Sequence, residues 1–338
     1  MNVGFFGGKF LPLHKGHMYA INQALQQVTR LYVVLSSGEN YDKTICKIAG
    51  IKYMPPEERL NWLGEELAKS PIRYKIIHIE DRPFNNEHDW EYGAQLIKQQ
   101  IPEKITHVFS SEPEYTEKFS ALYPGTKHVL LDETRRTYPI SSTMIRDNLF
   151  DNWDFLTPGA KRFLSKKVAI VGTESCGKST LAERLAKHFV TEYVHELGRD
   201  YCDKYSNQLT VDSFDDIAMQ HWLEQRKLAG KANKVLFVDS DAIATQYFLD
   251  MYFTGAYSPV VESIVSLQDY DLVMYLEPDV PWIDDGLRFA GDDDVRKANN
   301  IKLKGMYHDR GIDLHCICGN YEKRFSQAVQ MINALLRG

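Results

Sequence analysis

The 338-residue chain has few cysteines, little net charge and no long apolar run, and each shortage removes a class of protein. Five cysteines (Cys46, Cys176, Cys202, Cys316, Cys318) are scattered, and the one close pair, Cys316-Ile317-Cys318, has no second pair to complete a zinc site. They read as reduced thiols, which excludes a disulfide-stapled secreted domain. Charge is nearly balanced at 40 Lys+Arg against 46 Asp+Glu, and residues 1–157 alone carry 18 against 20. Neither half offers a basic nucleic-acid platform. No segment approaches the roughly 18 apolar residues that would span a bilayer, so a membrane protein is not expected and the chain reads as cytoplasmic. Repeats, low-complexity tracts and long Gly/Ser linkers are missing as well, which predicts domains that abut. The length suggests about two of them.

Against this plain background one stretch stands out, Gly172-Thr173-Glu174-Ser175-Cys176-Gly177-Lys178-Ser179, directly after the apolar run Val168-Ala169-Ile170-Val171. A buried strand, a glycine loop whose N–H groups can curl round an anion, and a helix N-terminus are the parts of a phosphate-binding loop, in the required order. Gly172, Glu174, Ser175, Gly177, Ser179 and Thr180 are the expected ATP contacts. Lys178 reaches the β- and γ-phosphates, and the Ser179 hydroxyl is placed to hold Mg²⁺. Such a loop usually follows the first strand of its domain, so about 160 residues in front need a fold of their own.

Those residues begin with an apolar strand, Asn2 to Phe6, running into Gly7-Gly8-Lys9-Phe10-Leu11-Pro12-Leu13-His14-Lys15-Gly16-His17. His14 and His17, three apart at the start of a helix through Val28, bring two imidazoles together beside Lys15 and the positive end of a helix dipole. Strands at Leu31–Leu35, Tyr74–Ile79, His107–Ser111 and Val129–Leu131 then alternate with helices at Pro56–Leu67, Trp90–Gln99 and Glu114–Ala121. The strand carboxyl ends, where parallel sheets bind ligands, collect His14, Ser36, Ser37, Asp81, Ser110 and Ser111. Further on, Ile140-Ser141-Ser142-Thr143-Met144-Ile145-Arg146 can cap a helix while offering hydroxyl donors, with Arg146 one turn inside.

These motifs resemble the nucleotidyltransferase superfamily marked by GxFxPxHxGH, matched at Gly8, Phe10, Pro12, His14, Gly16 and His17, and by a second signature, ISSTxIR. The resemblance implies transfer of an adenylyl group from ATP to a phosphate. Gly8, Phe10, Lys15, Ser110, Ser141, Ser142 and Thr143 would bind ATP, and His14, His17 and Arg146 would stabilise the charge that develops. Trp90 could stack on a flat cationic ring such as nicotinamide, or could be core.

Beyond the phosphate loop, a strand at Glu192–His195 ends in Glu196-Leu197-Gly198-Arg199-Asp200, and Asp212–Ala229 is helical. Lys234-Val235-Leu236-Phe237-Val238-Asp239-Ser240-Asp241 is an apolar strand ending in acid, where Asp239 supports Mg²⁺. Asp241 is preferred as the base that takes the acceptor's proton because a rigid strand stands behind it. Glu196 is the alternative, with Arg199 in the acceptor pocket. A strand at Asp271–Leu276 precedes Trp282-Ile283-Asp284-Asp285-Gly286-Leu287-Arg288 and then Arg296, which reads as a lid whose arginines close on the phosphate, or as a solvated charged helix. Leu314–Ile317 and Tyr321–Leu336 complete the pattern as strand and helix.

The expected fold class is α/β, with two doubly wound parallel-sheet domains: residues 1–150, an HxGH nucleotidyltransferase of Rossmann-like type, and residues 166–338, a P-loop kinase, joined by 151–165. A resemblance to the NadR family covers nearly the whole chain. A W-x-F-x-x-P join is matched by Trp153, Phe155 and Pro158, and a W-x-D-D-G-x-R motif by Trp282, Asp284, Asp285, Gly286 and Arg288. It implies phosphorylation of nicotinamide riboside to nicotinamide mononucleotide (NMN), then adenylylation of NMN to NAD. The partners would be ATP, NMN, nicotinamide riboside and NAD, with Mg²⁺ as cofactor. Trp282 and Asp284 would contact substrate, and Arg288 and Arg296 the phosphates. A homo-oligomer, a functional link to a riboside transporter and absence of the family's helix-turn-helix module are further expectations. The competing readings are a fused ATP sulfurylase/adenylylsulfate kinase, whose Arg-Asn-Pro signature this chain lacks, and a non-catalytic nucleotide sensor.

Overall fold

Val168 and Ile170 face one side of their strand and Ala169 and Val171 the other, and all four are fully buried. A strand buried on both faces belongs in a parallel sheet covered by helices on each side, which is the architecture seen twice in this chain. The computed structural model describes residues 2–68, 70, 73–84, 87–206, 208–280 and 293–337. They divide into two units, Met1–Lys161 and Arg162–Gly338.

The first unit runs β1 (Val3–Gly8), α1 (Lys15–Leu25), β2 (Arg30–Ser37), α2 (Glu39–Ile48), α3 (Pro56–Leu67), β3 (Tyr74–Glu80), the hairpin β4 (Pro83–Phe84) and β5 (Glu87–His88), α4 (Trp90–Gln100), β6 (His107–Ser110), α5 (Thr116–Leu122), β7 (Lys127–Leu130) and α6 (Ser142–Asp147). Its parallel sheet has the order β3-β2-β1-β6-β7, so the chain reverses direction across the sheet on either side of β1. Phe5, Val34, Ile77 and Val108 face α4 and α5, while α1 and α3 cover the other side. Helix α1 stops at Leu25, short of the expected Val28, because the chain must turn there: the Thr29 amide donates to the Asn2 carbonyl at 2.8 Å, which sets β2 beside β1. Residues 153–161 group with this unit, and Trp153 is 1% exposed.

From α7 (Pro158–Leu164) the chain enters the second unit: β8 (Lys166–Val171), α8 (Lys178–Phe189), β9 (Tyr193–Val194), α9 (Leu197–Lys204), α10 (Val211–Ala229), β10 (Val235–Asp239), α11 (Ala242–Tyr252), α12 (Pro259–Leu267), β11 (Leu272–Leu276), α13 (Asp293–His308), β12 (His315–Ile317) and α14 (Tyr321–Leu335). The parallel order is β12-β11-β8-β10-β9. Leu181 and Leu185 of α8 and Ile332 of α14 pack on one face, and Tyr247, Leu303 and Tyr307 on the other. Each fully buried leucine contributes about 1.5–3 kcal/mol, so the two faces together give this sheet its stability. No described helix is long and apolar enough to cross a membrane.

Helices α2, α9, α11 and α12 are additions to the sequence reading. Ser258 caps α12 by accepting from the Val260 and Val261 amides, and Pro259 occupies its first turn, a legible start signal. Helix α2 carries only two buried residues, Asp42 and Cys46, and so lacked an apolar stripe.

Asp42 and Arg59 are both fully buried and form an ion pair at 2.8 Å, with a second Arg59 nitrogen donating to the Lys9 carbonyl at 2.8 Å. Removing one member of a buried pair strands the other charge, so Arg59→Met is expected to lower the stability of the first unit by about 3–5 kcal/mol. Adding Asp42→Leu should restore much of it; urea unfolding of the single and double variants checks this.

Candidate active sites

In the first unit, the loop after β1 delivers His14 as the N-cap of α1. Its Nδ1 accepts from the His17 amide at 3.3 Å, which leaves the ring proton on Nε2. The two imidazoles stack at 3.7 Å, and Phe10 meets His17 edge-on at 5.0 Å. Glycine at position 16 favours this: a Cβ there would lie 3.0 Å from the His14 ring, so the ring would have to shift. Burial, then Arg135, lowers His14 to about 3, and burial, His14 and Arg135 hold His17 well below its ordinary value. Both rings are therefore neutral near pH 7. Nε2 of His14 and Nδ1 of His17 are buried without partners.

The second signature serves the first. Ser141 caps α6, Ser142 Oγ donates to the Pro12 carbonyl at 3.1 Å, and Arg146 donates to the Leu11 carbonyl at 2.7 Å and to Thr143 Oγ1 at 2.9 Å. Arg146 is thus engaged with the histidine loop rather than standing free for phosphate. Two further expectations change. Phe10 is 1% exposed and supports His17 instead of reaching a ligand, and Ser110 is buried against His128 Nε2 at 2.8 Å. Lys15 is exposed. Beside Gly8, Lys9 Nζ donates to Asp42 at 3.1 Å. Trp90 lies edge-on to Tyr115 at 4.7 Å and to Phe119 at 5.7 Å, with Lys118 Nζ 4.8 Å from its ring centre, so its indole belongs to an aromatic cluster and is not a free face. Arg135, paired with Glu112 on the loop after β7, was not anticipated; its only sequence signal was an arginine pair past a strand end.

The second unit gathers most of its expected residues around one cavity of about 230 Å³. Glu174, Ser175, Gly177, Lys178, Ser179, Thr180, Glu196, Arg199, Asp239 and Asp241 all border it. Gly172 has φ 150°, and a Cβ would meet the Leu276 carbonyl at 2.7 Å. Lys178 Nζ donates to the Thr173 carbonyl at 3.1 Å. Arg324 of α14, 1% exposed, donates to the Cys176, Gly319 and Glu277 carbonyls and pairs with Asp279, holding the loop from behind. It lies some 150 residues beyond the loop, where no local pattern could reveal it.

The two acids ending β10 have opposite environments. Both Asp239 oxygens are buried without a hydrogen-bond partner, and burial together with the Glu196 carboxylate raises its pKa against the pull of Lys178. Asp241 is the N-cap of α11: its Oδ1 accepts from the Ala244 amide at 2.9 Å and from the Tyr307 hydroxyl at 2.7 Å. Oδ1 of Asp241, the residue preferred above as the base, is thereby committed to the helix cap and the tyrosine hydroxyl, which favours Glu196, the alternative, for that role. Glu196 Oε1 accepts a long contact of 3.5 Å from Ser240 Oγ and borders the cavity. Arg296, expected to close on phosphate, instead donates from α13 to the Pro278 and Val280 carbonyls at 3.0 and 3.1 Å. Trp282, Asp284 and Arg288 lie outside the described residues.

Fold and sites together define a two-domain nucleotide-handling α/β protein, with a nucleotidyltransferase-type histidine loop in one unit and a P-loop in the other. Residues 5–148 match the cytidylyltransferase-like family and residues 167–324 the AAA domain family. The trifunctional NAD biosynthesis/regulator protein NadR of Salmonella typhimurium is 32% identical, covering 99% of this chain and 83% of the relative. NadR of Escherichia coli is 31% identical over the same shares. A crystal structure of a NadR protein in complex with NR superposes with a TM-score of 0.80 at 21% identity, covering 100% of this chain and 96% of that one. The chain belongs to the NadR family.

The depressed His14 pKa has a measurable sign. Between pH 6.5 and about 3 the unfolded chain takes a proton that folded His14 refuses, so stability falls as pH drops through that window, by up to about 1.4 kcal/mol per unit. His14→Gln should flatten part of this slope in urea unfolding followed from pH 7 to 4. An unchanged slope would mean that folded His14 protonates normally.

Proposed function

We propose that this NadR-family chain is a bifunctional enzyme of NAD biosynthesis: its second unit phosphorylates nicotinamide riboside with ATP, and its first unit adenylylates the resulting mononucleotide to NAD, releasing pyrophosphate. The observation that carries the reading is one cavity lined together by phosphate-loop residues, by Glu196 and Arg199, and by Phe214, Phe248 and Tyr252, whose rings suit a nucleoside.

In the kinase unit, loop amides and Lys178 hold the ATP phosphates, and the 5′-hydroxyl approaches the γ-phosphate from the side opposite ADP, because attacking and leaving oxygens lie roughly in line. Glu196 takes the hydroxyl proton. A divalent cation fits beside Ser179, since the bare, buried carboxylate of Asp239 calls for a positive partner. Magnesium is the ion we assign, and when bound it neutralises charge on the β- and γ-phosphate oxygens. In the adenylyltransferase unit, the mononucleotide phosphate attacks the α-phosphate of ATP. Neutral His14 contributes a directed Nε2–H, with His17 and the N-terminus of α1 beside it. Ser142 and Arg146 keep the loop in register.

Supplying ATP, Mg²⁺ and nicotinamide riboside to the full chain should give ADP, pyrophosphate and NAD; absence of any one product overturns the reading. The two activities should also fail separately. Lys178→Ala is expected to lower riboside phosphorylation by roughly 10²-fold or more while sparing NAD synthesis from the mononucleotide, and His17→Ala the reverse. Glu196→Gln should reduce kinase kcat by roughly 10²–10⁴. Asp241→Asn should instead lower the unfolding midpoint, and a loss confined to kcat in that variant would return the base assignment to Asp241.

A further inference from the structure

The adenylyltransferase scheme above lacks a cation placed at the reacting phosphates. His14 and His17 are neutral, Arg146 is engaged with the Leu11 carbonyl and Thr143, and Lys15 is exposed on α1. Arg135 has no task in that scheme, yet its charge depresses the protonation of both imidazoles and so lies within electrostatic reach of the two rings.

The segment that carries Arg135 is anchored at both ends. Leaving β7, the Leu131 amide donates to the Ser110 carbonyl at 2.8 Å, which ties the segment to the end of β6. At its far end Tyr138 packs on Tyr19 of α1 at 5.8 Å, and a Cβ on Gly16 would lie 3.4 Å from the Ile140 side chain. The segment therefore runs from the strand ends to the start of the histidine helix. Between these anchors the Arg135 amide donates to the Asp132 carbonyl at 2.7 Å and the Arg136 amide to Asp132 Oδ1 at 3.0 Å, and Asp132 and Arg135 both have φ 48°. A left-handed backbone at a residue other than glycine persists only where its surroundings impose it. Glu112, just past β6, accepts from Arg135 Nη2. The guanidinium makes no other hydrogen bond among the described residues, and the side chain is 36% exposed, so Nε and Nη1 are open to a ligand.

We propose that Arg135 is a catalytic residue of the adenylyltransferase unit, its Nε and Nη1 donating to the triphosphate of ATP bound at His14 and His17, with Glu112 holding the guanidinium in place. The assignment rests on the adenylyltransferase reading of this unit. As an oxygen of the mononucleotide phosphate bonds to the α-phosphorus, the bond from that phosphorus to the bridging oxygen breaks, and its electron pair leaves with pyrophosphate. Negative charge grows on the departing group, and a cation fixed beforehand favours that state over the ground state. A planar guanidinium can meet two phosphate oxygens at once, where lysine offers a point charge. The neutral imidazoles supply directed hydrogen bonds, and Arg135 supplies the charge.

The test uses the full chain with ATP, Mg²⁺ and NMN, following NAD and pyrophosphate, with riboside phosphorylation in the same sample as the internal control. Arg135→Ala should lower the kcat of adenylylation by roughly 10²- to 10³-fold, the cost of losing a preorganised donor, and leave riboside phosphorylation unchanged. Guanidinium ion added at millimolar concentration should recover part of the rate in Arg135→Ala and none in His17→Ala, a response that a loss of structure would not give. Arg135→Lys keeps the charge without the fork and should fall between wild type and alanine, which keeps the measurement possible if the alanine variant folds poorly. Glu112→Gln, which retains an acceptor for Nη2, should cost less than Arg135→Ala. Undiminished adenylylation by Arg135→Ala, or a loss that guanidinium leaves untouched, would overturn the assignment. So would a loss in Arg136→Ala that Arg135→Ala does not share. No NAD from the wild type would overturn the adenylyltransferase reading itself.

Discussion

A phosphate loop can present its N–H groups to an anion only if its carbonyls are held elsewhere, and in both units of this chain guanidinium groups do the holding. Arg324 donates to the Cys176 carbonyl behind the P-loop, Arg59 to the Lys9 carbonyl, and Arg146 to the Leu11 carbonyl of the histidine loop. Arg59 and Arg324 are essentially inaccessible to water. A guanidinium cannot relieve burial by losing its proton, so it holds on to the acceptors it reaches, and those carbonyls are fixed in turn. Loop order is thereby tied to the stability of the unit that carries it. The donors are set before a ligand arrives, as electrostatic preorganisation demands.

The same economy governs the acids and imidazoles. Asp239 and Asp241 stand two residues apart at one strand end, yet one is left without a hydrogen-bond partner while the other is absorbed into a helix cap and a tyrosine hydroxyl. Position along the strand therefore does not fix what each acid can still bind; its hydrogen-bond partners do. In the first unit the stacked histidines are kept neutral by burial and by Arg135, so what they can offer is directed hydrogen bonds and not net charge. Neutral donors placed on tight loops tolerate the desolvation that a charged pair would resist.

Much of the scaffold was legible because its signals are local. Helix α3 is Pro56–Leu67 as read from proline at its start and its apolar stripe, and α14 ends within one residue of its expected limit. The apolar strands before each loop were found for the same reason. Helix α2 escaped because its buried face is mostly Asp42, whose partner Arg59 lies 17 residues away. Strand order was not predicted, since it depends on which edge each crossover returns to and not on any single segment.

For the sites, the chain's own pattern determined where phosphates are handled: Gly172 to Ser179 and Gly8 to His17 are contiguous, and their chemistry follows from residue types at fixed spacing. Tertiary structure alone decided which side chains around them are spent and which are free. Asp241 became a cap, Arg146 and Arg296 became carbonyl donors, and Arg135 entered from a distant element. Hydrogen-bond satisfaction is the physical reason. Whether a polar group can meet a ligand depends on whether the folded chain has already met its donors and acceptors, and those partners come from residues far apart in sequence.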